Sequence, residues 1–163
     1  MGTKIKSPVE LLIGMQQIVP MKFHKTEDVL KIQKLLGQIL LNPPNVAGWP
    51  GGKSWIDSNT IMLRLKLPSI LLANAHISVT PKGEFEDSYK DFQQTKRKQL
   101  VKVDADWNHF ERHYGSLTYS NLQRLLLVAE LNDGTQRYLE SLNKNSKRDV
   151  CIQLMSLPEY QMC

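Results

Sequence analysis

The sequence predicts an all-α protein: an irregular bundle of about six to seven helices with a rigid Pro/Gly/Trp loop between the second and third. Three observations carry this. Helix-start signals recur along the chain, each followed by apolar residues three and four apart. No stretch alternates convincingly between apolar and polar, the best strand candidate being the short run at 99–103. Between two apolar helical patterns, residues 41–55 hold three prolines, three glycines and two tryptophans. Proline fixes φ and glycine permits φ > 0, so this mixture specifies one conformation rather than a floppy connection.

The elements follow in order. Ser7-Pro8-Val9-Glu10 reads as an N-cap, a proline in the first turn and a capping-box glutamate, with Leu11, Leu12, Met15, Ile18 and Val19 as the apolar face and Pro20 as the stop. Thr26 is expected to cap a second helix, with Glu27 and Asp28 favoured by its dipole. Val29, Ile32, Leu36, Ile39 and Leu40 mark the second helix's stripe. After the loop, Asp57 or Ser58 starts a third helix through Ile61, Met62 and Leu65, and Pro68 either kinks it or opens a fourth over Ile70, Leu71, Leu72 and Ala75. Trp107, Phe110 and Tyr114 form an aromatic stripe ending at Gly115. Thr118 or Ser120 caps the next helix, which buries Leu122, Leu125, Leu126 and Ala129 before Asn132-Asp133-Gly134 breaks it. Weaker patterns over 136–143 and 148–157 complete the chain. The expected organisation is an N-terminal helical lobe over 1–76 containing the loop, a charged linker or irregular segment over 77–103, and a C-terminal helical lobe over 104–163.

At 163 residues the chain is long enough to bury a core. No apolar run approaches the ~20 residues that span a bilayer, and the first residues lack a signal-peptide stretch. An abrupt helix start at Ser7 suggests a piece of something longer. The net charge of +5 is spread thinly over residues 1–75, nine basic against four acidic, while 76–163 carries twelve of each. Nucleic-acid binding wants a concentrated stripe, so no nucleic-acid partner is expected. Cys151 and Cys163 are too few for a disulfide framework or a zinc site, and free thiols are expected.

Three blocks are distinctive: Ile5-Lys6-Ser7-Pro8-Val9-Glu10; Pro43-Pro44-Asn45-Val46-Ala47-Gly48-Trp49-Pro50-Gly51-Gly52 followed by Trp55-Ile56; and Leu157-Pro158-Glu159-Tyr160-Gln161. In this order they resemble the C-terminal part of the bacterial domain of unknown function 1800 family, with Arg64 standing where that family's signature has an arginine after the loop. Residues 77–103 carry none of its motifs. Relatives are longer, so the resemblance implies an N-terminal portion beyond this chain. Many relatives look exported and are encoded beside a second uncharacterised exported family. The resemblance brings no established activity, cofactor or catalytic residues.

Among chemical constellations, Gly51-Gly52-Lys53-Ser54 imitates a phosphate loop. Its first glycine is misplaced, however: Ala47 occupies the required position, Gly48 lies one residue late, and Pro50 removes an amide from the cradle. His109 and His113, four apart beside Asp106, have metal-ligand spacing. The helical wheel sets them about 110° from the aromatic stripe, where two surface histidines are the ordinary reading, so no metal is expected and these remain weak candidates. His24 and His76 flank helix ends. The serines sit at caps, which accounts for them without catalysis.

The loop is therefore the best candidate binding site, with Asn45, Trp49, Lys53, Trp55 and Arg64 as its residues. Trp49 and Trp55 either bury against the flanking helices or present flat platforms for a sugar ring, a proline-rich peptide or another domain; a stiff loop favours burial. Asn45 then satisfies loop backbone groups. The preferred function is a non-catalytic helical segment of a larger exported protein, packing against its N-terminal part or a protein partner, or forming a homodimer in isolation. The alternative is an enzyme, a hydrolase or carbohydrate- or peptide-acting protein, whose shared pocket is rimmed by Trp49, Lys53 and Trp55. No cofactor is expected in either case.

Overall fold

The computed structural model describes residues 4–73, 101–142 and 146–163. Among these lie seven α-helices: α1 (Pro8–Ile18), α2 (Thr26–Leu35), α3 (Ser58–Leu72), α4 (Trp107–Tyr114), α5 (Tyr119–Leu126), α6 (Asp133–Ser141) and α7 (Lys147–Met155). Two 3-10 turns, Gly52–Trp55 and Pro158–Gln161, complete the helical elements. Of the charged linker or irregular segment expected over 77–103, residues 77–100 lie outside the described residues, as does His76, while Val103 at its end opens a strand.

The all-α expectation needs one correction. Strand β1 (Met21–Phe23) pairs antiparallel with β2 (Val103–Ala105), in register Met21↔Ala105, Lys22↔Asp104 and Phe23↔Val103. Met21 and Val103 point into the core while Lys22 and Asp104 face each other in solvent, so the alternation is real but only three residues long. A pattern that short carries no periodic signal. Asp106 N–H donates to Pro20 O at 2.8 Å and extends the join.

The first helix forms as its signals dictate: Ser7 Oγ accepts from Glu10 N–H at 3.3 Å and Glu10 Oε2 accepts from Ser7 N–H at 2.7 Å. Helix α2 differs from expectation at both ends. Thr26 is its first helical residue and Lys25 occupies the cap without a side-chain bond. The helix stops at Leu35, where Gly37 turns at φ 84°. Ile32 and Leu36 are buried as expected, but Leu40 is exposed. Two buried amides organise the exit: Gln33 Oε1 accepts from Leu40 N–H at 2.7 Å, and Gln38 Oε1 accepts from Val9 N–H at 3.1 Å.

Helix α3 runs continuously through Pro68. Its buried face is Leu63, Arg64, Leu67, Ile70 and Leu71; of the expected face, Met62 is exposed and Ile61 and Leu65 are half-buried. In α5, Leu122 and Leu126 are buried but Leu125 is exposed. Asn132 does not break a helix but caps α6, its Oδ1 accepting from Thr135 N–H at 2.9 Å. One apolar cluster joins α1 (Leu11, Met15), α3 (Leu67, Leu71), α4 (Phe110), α5 (Leu122) and α7 (Leu154, Met155), so residues from both halves of the sequence share a single core.

Candidate functional site

Helix α3 buries Arg64 with no exposed surface. Its position four residues before Pro68 also leaves the Arg64 carbonyl without the amide an uninterrupted helix would supply. Arg64 Nε donates to Gln161 Oε1 at 3.0 Å, and Nη2 donates to Lys6 O. The blocks at 5–10 and 157–161 thus meet on the arginine between them. The backbone adds a small ribbon above it: Ile5 bridges Met162, Lys6 N–H donates to Gln161 O at 2.8 Å, and Cys163 N–H donates to Lys4 O at 2.9 Å.

The side chain of Lys6 turns back onto the same turn, donating to Tyr160 O at 2.7 Å with its ammonium 3.9 Å from the Tyr160 ring centroid. Burial pulls the Lys6 ammonium below its usual value; Arg64 pulls the same way, while Cys163 and Glu10 oppose them. Burial lowers Arg64 to about 10, so it stays charged at neutral pH. Burial likewise raises the Tyr160 phenol and lifts the Cys151 thiol to about 12, which leaves that thiol unreactive. Glu159, also buried, reaches the other way: its Oε1 accepts from Asn132 Nδ2 at 3.0 Å and Thr135 Oγ1 at 2.6 Å, at the start of α6. The turn Pro158–Gln161 is therefore a clasp holding the chain before α1, helix α3 and the start of α6 together.

The loop residues lie apart from this clasp in their hydrogen bonding. Asn45 is exposed, and its Oδ1 accepts from Ala47 N–H at 2.9 Å, the local turn expected of it. Gly48 and Gly52 have φ 89° and 64°, values that favour glycine. Trp55 is buried at 7% exposure, Trp49 is half-buried and Lys53 is exposed. The indoles therefore divide between the two outcomes, and of the pair Trp49 has more of its surface open to solvent. Leu40 is 52%, Leu41 89% and Val46 109% exposed, and Leu41 holds φ 65°. Sequence reading placed Leu40 on a buried stripe and gave Leu41 and Val46 no role of their own.

His109 and His113 stack with centroids 4.1 Å apart, and His113 Nδ1 contacts His109 O at 2.9 Å. Stacked rings send their in-plane lone pairs along parallel lines, away from a shared ion. Among the described residues, no group of three or more His, Cys, Asp or Glu is placed to hold a metal. His24 Nε2 lies 2.9 Å from Asp104 Oδ2 across the strands. Also among the described residues, no helix is long and apolar enough to cross a membrane.

Sequence reading nominated Arg64 but missed Lys6, Glu159 and Gln161 as its neighbours in function. Their only signal was position inside the distinctive blocks. Fold and site together define a mostly helical scaffold closed on a buried arginine. The chain belongs to the family described as Protein of unknown function (DUF1800), which matches residues 1–162. Comparison with curated proteins and with solved structures finds no match.

Proposed function

We propose that this chain is a non-catalytic helical packing module of an exported bacterial protein, and that residues 41–55 form a stiff loop presenting an apolar tip to a protein surface. The observation that carries this reading is Leu41, an aliphatic residue in left-handed backbone with its side chain displayed to solvent. Such a residue loses energy on both counts, which points to a use outside the folded chain. Burying Leu41 and Val46 against a partner would contribute about 1.5–3 kcal/mol each. Stiffness comes from the Asn45 turn, the three prolines, and anchors at both ends: Gln33 on Leu40, and buried Trp55. The partner surface belongs to another part of a longer protein, a different protein or a second copy.

Sedimentation velocity over micromolar to near-millimolar concentrations tests the reading through the second copy. Reversible association that is lost in Val46→Asp, with the circular dichroism spectrum unchanged, is expected. A parent chain that stays monomeric and binds no apolar dye would remove the main support.

A second reading keeps Trp49 and Lys53 as the rim of a pocket shared with another segment. Half-buried Trp49 next to exposed Lys53 favours it, through stacking on the indole and a charge for an acidic group. Tryptophan fluorescence titrated with oligosaccharides and peptides distinguishes it; a flat response leaves packing as the sole reading.

A further inference from the structure

Two donor groups in the clasp face no acceptor. Arg64 Nη1 and Gln161 Nε2 are buried without a hydrogen-bond partner among the described residues. They belong to groups already joined through Nε and Oε1 at 3.0 Å, so the free donors sit on one compact unit. The ammonium of Lys6 is near enough for Arg64 to pull it below its usual value, and it already donates to Tyr160 O at 2.7 Å. Among the described residues, neither Lys6 nor Arg64 forms an ion pair with a carboxylate; Cys163 and Glu10 act on Lys6 from a distance, and Glu159 Oε2 is a buried, unpartnered carboxylate oxygen in the same turn.

A buried guanidinium is stable when its charge is matched and its N–H groups are accepted. Water would supply acceptor lone pairs but no countercharge. An oxyanion supplies both, and Arg64 Nη1 is the guanidinium nitrogen left to meet it, because Nε and Nη2 already donate within the chain. We propose that Lys6, Arg64 and Gln161 form a binding site for a small oxyanion of the phosphate, sulfate or carboxylate class, beneath the ribbon of residues 4–6 and 161–163. Backbone hydrogen bonds between Lys4 or Lys6 and Gln161 or Cys163 hold that ribbon in place, and half-buried Lys6 is the part of the site that reaches solvent. The site is separate from the 41–55 loop and does not rest on its proposed role.

The test is thermal unfolding of the purified chain in phosphate, sulfate, acetate and chloride at matched ionic strength, on the parent, Gln161→Glu and Lys6→Met. Gln161→Glu puts a carboxylate on the arginine from within the chain. It is expected to raise Tm in chloride and to abolish the response to added anion. For the parent, an anion at about a hundred times its Kd should raise Tm by roughly 5–10 °C. Acetate alone acting would assign a carboxylate ligand; phosphate or sulfate acting would assign an inorganic or esterified anion. Phosphorus NMR linewidths supply a direct reading, with Lys6→Met weakening phosphate affinity about tenfold or more; this arm stands if Gln161→Glu fails to fold. A parent Tm equal in all four salts overturns the proposal and assigns the donors to water. So does a rise of equal size in parent and Lys6→Met, the mark of general salt exclusion.

Discussion

Arg64 Nε and Gln161 Oε1 meet at 3.0 Å across 97 positions of sequence, both side chains buried. The contact fixes α3 against the Pro158–Gln161 turn, and the Lys6 carbonyl on Nη2 fixes the strand before α1 to the same point. Removing the arginine opens a cavity and strands two acceptors. Arg64→Ala is expected to cost about 3–5 kcal/mol. Arg64→Lys keeps the charge but lacks the planar fork, and should cost about 1–3 kcal/mol. Urea unfolding with a common m-value measures both, and a lysine variant as stable as the parent would show that the fork is unimportant.

Leu41 offers the opposite sign. Left-handed backbone costs an ordinary L-residue about 1–2 kcal/mol, while glycine loses about 0.5–1 kcal/mol more conformational freedom on folding. At φ 65° and 89% exposure, Leu41→Gly should therefore stabilise the fold by about 0.5–1 kcal/mol. The same variant should weaken self-association if the loop tip is a docking surface. Destabilisation in the urea midpoint would mean that the leucine side chain packs usefully within the chain.

Asp57 caps α3, its Oδ1 accepting from Asn59 N–H at 2.7 Å and Thr60 N–H at 2.8 Å. Asp57→Ala should cost about 0.5–2 kcal/mol. These bonds, that from Thr60 foremost, hold the carboxyl below its ordinary 3.8, and the Lys4 side chain does the same for Glu10 below 4.5. A depressed folded value means that the contribution is present above the unfolded pKa and is lost as pH falls through the folded one. The share of stability that these two carboxylates contribute should therefore be lost as pH falls below about 4.5. Asp57→Asn, which keeps a capping oxygen without a charge, should flatten that acid limb in pH-dependent urea midpoints.

The two thiols should behave differently. Cys163 is exposed and Cys151 is buried, with burial raising Cys151 from 9.0 to about 12. Under native conditions a thiol reagent should label one group per chain, and both after unfolding. The raised value stabilises the fold below pH 9.0, and that contribution is lost as pH climbs from 9.0 toward about 12. Cys151→Ser should therefore show a shallower alkaline decline relative to its own neutral-pH stability. Two thiols reacting at equal rates in the native state would contradict the assignment.

Local chemistry was legible wherever a few adjacent residues decide it. The Ser7–Glu10 box, the Asp57 cap, the Phe110 stripe and the Asn45 turn all form as read, because each needs only neighbours in sequence. The face of α3 was misread because the apolar pattern runs through Ile61, Met62 and Leu65, whereas the buried side carries Arg64. Burial of Arg64 depends on Gln161 and the Lys6 carbonyl, and nothing in residues 58–72 announces them. The end of α2 was misread because Gln33 holds the exit and Gln38 ties it to the start of α1, both from buried positions, where polar residues count against burial in any pattern.

By itself the sequence determined the helical character, the caps of α1 and α3, the unusual loop between α2 and α3, and membership of the family, since all of these rest on short motifs and local backbone preference. Tertiary structure alone decided that β1 pairs with β2, that Trp55 is buried while Leu41 and Val46 are displayed, and that the three blocks close on Arg64. The reason is physical: a buried charge and a strand of three residues are stable only when distant segments supply their hydrogen bonds, and that supply is a property of the folded chain.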